Sequence, residues 1–251
     1  MKVLDVLKNQ IRHLLAYHGG RQIVTVRPER PTISFSFDDV AESAFSAGDR
    51  LLQKYQLAGT YYLALGLLGK DTNIGRIIGE ENVIDLYKRG NEIGCHTFDH
   101  LDAWASDRFS YEDSILKNAV ALKKLIPGLQ LKTFAYPKGS ATPKTKKICE
   151  KHFCCSRGIK RGINKNRIDL NLLNGHSIYG DMDSIELYKK IVDRNKTQKG
   201  WLIFYTHDVR KNKSRYGCTP QLLEEIISYS IKSGAEIKTV YEAYTSAGHT
   251  S

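Results

Sequence analysis

The sequence predicts an α/β protein of parallel strands with helices outside, on three observations. Short β-rich runs alternate with stretches of helical spacing from end to end, giving about seven or eight strands. No linker, internal repeat or low-complexity stretch breaks that rhythm, so 1–251 reads as a single domain. The chain has 251 residues, 41% hydrophobic and 26% charged, enough for one buried core at a length that α/β barrels reach undivided. A (β/α) barrel and an open doubly wound sheet both satisfy this rhythm.

The elements follow in order. In MKVLDVLKNQIRHLL, the residues Leu4, Leu7, Ile11, Leu14 and Leu15 recur at a helical period, and Asp5, Lys8 and Arg12 interrupt any signal-peptide core. Residues 1–25 are therefore read as an amphipathic helical extension packed on a barrel spanning 32–247, with a membrane-surface helix as the lesser alternative. TISFSF (32–37) is a strand, 42–56 a helix and GTYYLAL (59–65) a strand. A helix over 79–90 stops on Gly90, and NEIGCH (91–96) returns to strand. The helix over 110–126 is expected to open on Ser110 and Asp113 and to stop at Pro127-Gly128. LKTFAYP (131–137) is a strand, and 142–152 is a helix with Thr142 as cap and Pro143 at its first position. Strands FCCS (153–156) and NGHSIYG (174–180) flank an irregular basic stretch. A helix over 183–195, the apolar strand GWLIFYTH (200–207), a Thr219-capped helix over 218–234 and EIKTV (236–240) with a short last helix complete the chain.

Charge and cysteine content bound the function. The net charge of +11 favours an anionic partner, and the basic residues are densest over 144–167. Five cysteines, Cys95, Cys149, Cys154, Cys155 and Cys218, include no C-x-x-C pair, which argues against a zinc ribbon or thioredoxin-type site and for a reducing compartment. The longest apolar run, YYLALGLLG (61–69), is far short of the ~20 residues of a spanning helix. The expectation is a cytoplasmic protein, with peripheral association at the inner face of a membrane as an option.

Chemistry gathers where strands end. The first ends on Asp38-Asp39, a later one on His96, the next on Tyr136-Pro137 and the last long one on His207-Asp208. In a parallel barrel those carboxyl ends share one rim, which is the active-site face. In GCHTFDH (94–100), His96 and His100 stand four apart with Asp99 between them. Two imidazoles and a carboxylate make a usual catalytic zinc set, with a position left for water. The zincin motif is a weak fit, since Thr97 stands where its glutamate belongs and the segment follows a strand. His13, His18, His152, His176 and His249 lack ligand spacing.

S-F-D-D after the first strand, H-T-x-x-H about 60 residues on, then F-A-Y-P-x-G and a late apolar strand ending in His occur in that order between Thr32 and Val240. This order resembles the polysaccharide deacetylase family, also called the NodB-homology or carbohydrate esterase family 4 group. The resemblance implies a deformed (β/α) barrel of about seven parallel strands and a metal-dependent N- or O-deacetylase. Carried over by position, it implies Asp38 as catalytic base, His207 as catalytic acid, and Asp39, His96 and His100 as metal ligands. The metal it implies is most often Zn2+, with Co2+ or Ni2+ able to substitute. If the strand pleat continues through Asp38 and Asp39, their side chains diverge, so that one binds metal while the other faces substrate.

The third motif departs from the family's R-P-P-Y-G. Ala135 holds the arginine position and Lys138 that of the tyrosine, so the group that tunes Asp38 is open. Arg157 and Arg161 in CSRGIKRGIN are the candidates to supply the charge. The backbone N–H of Lys138 remains available to an oxyanion. Tyr136 and Trp104 are candidate sugar-stacking platforms, with Pro137 and Lys138 beside them as substrate contacts. A further motif of the family, an acidic-aromatic signature, has no clear counterpart, and Asp181 and Asp183 read as a turn and a helix cap.

The function expected is hydrolysis of an N-acetyl or O-acetyl group on a sugar, oligosaccharide or lipid-linked glycan, in the making of a surface polysaccharide. A hydrolase of another amide C–N bond and a non-catalytic module for an anionic glycan are the alternatives. Nucleic acid is disfavoured, because no recognised motif accompanies the charge. Oligomeric state is open.

Overall fold

The computed structural model describes residues 11, 12 and 14–248. The sheet begins with β2 (Thr32–Asp38), all seven residues buried. The strand explains its own alternation. Phe35 and Phe37 face the outer helices, packing with Leu52, Leu222 and Ile226 in the largest apolar cluster. Ser34 and Ser36 face the other way. Ser34 accepts the Trp201 indole N–H at 3.0 Å, and Ser36 donates to the Phe204 carbonyl at 2.8 Å. The small serines, hydrogen-bonded themselves, leave that face to the large side chains beside them, and Trp201 and Ile203 pack there with Val24, Val26 and Val240.

Around β2 lie β3 (Thr60–Leu63), β6 (Glu92–Cys95), β7 (Thr133–Ala135) and β8 (Cys155–Arg157) on one side, and β11 (Trp201–Thr206) and β10 (His176–Ser177) on the other. The order is β10-β11-β2-β3-β6-β7-β8, and every pairing is parallel. These seven strands curl into a half-barrel, the deformed (β/α) barrel expected. A short eighth strand, β12 (Glu236–Ile237), pairs with the start of β2, while β3 pairs with its end. The split lets the last helix cover the bottom of the barrel.

The helices are α1 (Arg50–Lys54, continuing a wider helical turn over Ala44–Asp49), α2 (Glu80–Lys88), α3 (Arg108–Leu125), α4 (Pro143–His152), α5 (Ile185–Gln198), α6 (Pro220–Lys232) and α7 (Val240–Ser246). Thr142 caps α4 and Thr219 caps α6, as expected from the Thr-Pro pairs. Helix α3 corrects the sequence reading. Its cap is Asp107, which accepts from Phe109 N at 2.8 Å and Ser110 N at 3.1 Å, so it begins before Ser110.

Two other features differ from expectation. Part of the basic stretch is ordered as β9 (Asn166–Asp169), which pairs antiparallel with β1 (Ile23–Val26). At the amino end, residues 11, 12 and 14–18 are helical, but Ile11, Leu14 and Leu15 are exposed rather than packed. Ala16 and Tyr17 make the contact with the barrel instead, and the buried Lys146 ammonium donates to the Ala16 carbonyl at 2.8 Å. Leu4 and Leu7 lie outside the described residues. A small hairpin, β4 (Asp71–Thr72) with β5 (Gly75–Arg76), projects at the rim. No described helix is long and apolar enough to cross a membrane.

Candidate active site

Strand β2 delivers two carboxylates to the rim, and the backbone separates them. The pleat ends at Asp38. Asp39 and Val40 both take left-handed conformations, φ 58° and 59°. The divergence of the two side chains therefore comes from a turn, not from the continuing pleat expected. A β-branched residue in that region is strained. The turn is pinned by its surroundings: Asp39 N–H donates to Tyr62 O at 3.1 Å, Val40 O accepts from Ile78 N at 3.1 Å, and the Val40 side chain is fully buried.

Asp38 turns inward to Arg157 at the end of β8, and a guanidinium N–H donates to its Oδ1. Both side chains are buried, 0% and 5% exposed. Arg157 also donates to Gly158 O at 3.1 Å and lies 4.5 Å from the Tyr205 ring centroid. Burial pushes the Asp38 carboxyl up, but Arg157, His96 and His207 together hold it below its ordinary value. Asp38 is thus kept ionised, with Oδ1 occupied and Oδ2 free. Arg157 fills the charge position that Ala135 leaves empty.

Asp39 turns the other way. Its Oδ1 lies 3.5 Å from His100 Nε2 and 3.9 Å from His96 Nε2, and one ligand atom from each residue falls within 4.8 Å of the others. Oδ1 of Asp39 is buried without a hydrogen-bond partner. His96 Nδ1 lies 2.7 Å from the Ala135 carbonyl, which can only accept, so Nδ1 carries the proton and Nε2 presents its lone pair. Burial, then the neighbouring His100, pushes the His96 imidazole down to about 3 against the pull of Asp38; burial and Lys138 also lower His100. Burial raises Asp39 to about 7, with His207 opposing and Asp38 adding to it. Two neutral imidazoles and an orphaned carboxylate oxygen are the donor set of a divalent cation, which would satisfy Oδ1 and favour the ionised carboxyl.

These groups line a cleft of about 460 Å³. His207, one residue past β11, stands in it among three tyrosines, with ring centroids of Tyr216, Tyr179 and Tyr205 at 5.6, 6.1 and 6.4 Å. Its Nδ1 is buried without a partner. Lys138 also lines the cleft, at φ 58°. Gly139 follows at φ 65°, and Ile159 fills the space where its Cβ would sit, so that no other residue fits the turn there.

The family model for polysaccharide deacetylases matches residues 25–153, just over half of the chain. The chain belongs to the polysaccharide deacetylase family. Solved deacetylase-like structures share its fold. A family 4 carbohydrate esterase from Bacillus anthracis aligns over 94% of this chain and 92% of its own, with TM-score 0.62 at 14% identity. The Xyl-CE4 domain of a multidomain xylanase from the hindgut metagenome of Trinervitermes trinervoides aligns over 88% and 92%, with TM-score 0.59 at 18% identity. A family 4 pseudoenzyme from Bacillus anthracis aligns over 87% and 66%, with TM-score 0.56 at 13% identity. One curated relative, a gellan lyase from Bacillus sp, is 25% identical over 187 residues, 74% of this chain, and the chain spans only 7% of that protein's length.

Within this deacetylase fold, the cleft gathers Asp38, Asp39, His96, His100, Lys138 and His207. Other expected contacts are corrected. Tyr136 is 1% exposed, packs edge-on against Phe134 and donates to Asn171 O at 3.0 Å, so it is core rather than sugar platform. Pro137 is buried beneath the rim. Trp104 stands outside the cleft with the Arg12 guanidinium 5.2 Å from its ring centroid. Arg161 is exposed and lines a different cavity; Arg157 alone of the two meets Asp38. Asp181 accepts from Asp183 N and caps the turn before α5, whereas Asp183 lies within that turn and Ser184, not Asp183, holds the cap position of α5. Sequence reasoning missed Tyr179, Tyr205 and Tyr216. For Tyr205 a signal existed, since it stands two residues before His207 and so on the same face of β11.

Proposed function

We propose that this polysaccharide deacetylase is an active, metal-dependent hydrolase that removes an acetyl group, in the first place N-acetyl, from a sugar or a surface-polysaccharide precursor. One observation carries the reading. Three residues able to hold a cation stand in the same cleft as an arginine-held carboxylate and a histidine. A binding module has no use for that combination.

Asp39 and the Nε2 atoms of His96 and His100 would hold the metal, with Zn2+ the first candidate and Co2+ or Ni2+ able to replace it. When bound, the ion supplies a Lewis acid and a water of lowered pKa. The remaining chemistry belongs to side chains of the chain. Asp38 Oδ2 takes the proton of the attacking water, because Arg157 keeps the carboxylate charged and fixes its orientation through Oδ1. The Lys138 backbone N–H, in a left-handed turn at the rim, is placed to donate to the oxygen that becomes negative. His207 gives a proton to the departing amine. Tyr179, Tyr205 and Tyr216 wall the opposite side and offer faces to a sugar ring.

The proposal extends to place. Five free thiols, four of them buried, suit a reducing compartment, hence a precursor handled inside the cell. The test is acetate release from N- and O-acetylated saccharides by the purified chain. Activity should vanish with a chelator and return with zinc or cobalt, and D38N and H207A should each lower it by roughly 10²–10⁴. A zinc-loaded protein that releases no acetate from either class of substrate overturns the reading.

A further inference from the structure

The half-barrel has an open seam. Edge strands β8 and β10 do not pair with each other. The segment 158–174 fills the gap, tied by Gly158 N–H to Leu173 O and by Gly175 N–H to Lys160 O, both at 2.9 Å. A cavity of about 430 Å³ opens on this seam, separate from the catalytic cleft. Helix α5 forms one wall with Leu187, Ile191, Arg194 and Gln198, whose spacing of four, three and four puts them on one stripe. Arg161 and His176 also line it.

The charge of this cavity is unbalanced. Neither Arg161 nor Arg194 has an ion-pair or hydrogen-bond partner among the described residues, and none of the residues lining the cavity is an acid. Both guanidiniums act on His176, whose imidazole is pushed down to about 4 by burial, then by Arg161, then by Arg194. Two cations therefore converge on a neutral imidazole with no counter-charge. A carboxylate would occupy one guanidinium fork. A phosphate ester, with more charge and more acceptor oxygens, can take both. Beside the cations the wall is apolar, and Leu187 is 52% exposed there.

The cavity also neighbours the cleft along the chain. Ile159 lines the cleft and Arg161 the cavity; Ser177 lines the cavity and Tyr179 the cleft. Each link is two residues, about 7 Å of extended chain.

We propose that the seam cavity binds a phosphate or diphosphate ester through Arg161 and Arg194, with the apolar part of the same molecule against Leu187 and Ile191. The shared chemistry fits two sources, a prenyl-type lipid phosphate and a nucleotide sugar. It would give the deacetylase a handle on the carrier end of its substrate, but the site stands or falls on binding, independently of acetate release.

The experiment is calorimetric titration of the metal-loaded full chain with inorganic pyrophosphate, geranyl diphosphate and a nucleoside-diphosphate sugar. The expected result is saturable binding of geranyl diphosphate, tighter than that of pyrophosphate and weakened at least about 10-fold by R161A and by R194A, the loss of one charge-assisted contact each. L187S should remove the advantage over pyrophosphate. Arginine-dependent binding of the nucleotide sugar, without any geranyl advantage, keeps the phosphate site and assigns it to the nucleotide source. No saturable binding of any probe overturns the proposal. So does binding that survives both arginine changes and is lost in H100A, because that ligand sits on the metal. Both arginines are exposed, and unchanged circular dichroism should show that the variants fold.

Discussion

Chemistry and stability both turn on two residues, Asp38 and Arg157, which form one buried pair. Removing one partner leaves the other charge buried without compensation, which costs about 3–5 kcal/mol, whereas removing both leaves a hole of manageable polarity. D38N and R157M should each lower the urea midpoint markedly, and the D38N/R157M double variant should recover most of that stability while remaining inactive. Equal losses that simply add in the double variant would show that the two side chains do not act as a pair. R157K separates charge from shape. It keeps the cation but loses the guanidinium fork, so kcat should fall by roughly 10²-fold or less while the fold persists. At this scale the sequence was informative wherever chemistry is rare. Two adjacent carboxylates at a strand end and two histidines four apart stand out against any background. Tyr136 was misread because an aromatic residue near a motif looks the same whether it stacks on a sugar or fills a core, and Trp104 because its face meets the Arg12 guanidinium outside the cleft. Arg157 and Arg161 were equivalent in the string, and only the end of β8 distinguishes them.

Elements carry their own consequence at the opposite end of the barrel. Glu92, at the start of β6, is half-buried and joins three neighbours. It accepts from Thr60 Oγ1 at 2.9 Å, from the Thr133 hydroxyl and, at the first turn of α7, from Tyr241 N at 2.8 Å. Burial raises its carboxyl above the ordinary 4.5, and the three donors only partly oppose that. The folded state therefore holds its proton more tightly than the unfolded one. The stability this provides is complete below about pH 4.5 and is lost as pH rises through the folded value. E92Q removes the titration and keeps the shape. The difference in urea midpoint, variant minus wild type, should grow as pH rises from 4 to 8, and a difference that stays flat over that range would refute the assignment. Elements of this kind were readable in existence and order: alternation marked β2, and Thr-Pro pairs marked α4 and α6. What was not readable is what nonlocal pairing decides. The four-residue β9 exists because β1 lies beside it, and nothing in NRID announces a strand without the backbone of IVTV next to it. The amino-terminal apolar residues fail similarly, since a helical period says that a face exists and not which surface it meets.

The whole molecule brings together groups from four strands that no local rule connects. Asp39 follows β2, His96 follows β6, Ala135 on β7 orients His96, and Arg157 on β8 holds Asp38. Their convergence depends on the strand order of the half-barrel, which the rhythm of the sequence left open between a barrel and an open sheet; the order of motifs decided it. Assembly also has a cost. Asp39, Val40, Thr97, His100 and Lys138 all sit in left-handed backbone at this rim, and each such residue costs of order 1 kcal/mol or more. The orphaned Asp39 Oδ1 adds to that cost. A cation that binds only the folded chain offsets it by mass action, by about 2.7 kcal/mol at 100 times its Kd. For a chain of this size that corresponds to a rise in Tm of roughly 5–10 °C. Thermal unfolding with and without zinc should show the shift in wild type, and D39A should abolish it while melting at least as high as the metal-free wild type, because the alanine removes the buried, unpartnered oxygen. A zinc-induced rise that persists in D39A would place the ion elsewhere and detach the catalytic reading from this cleft.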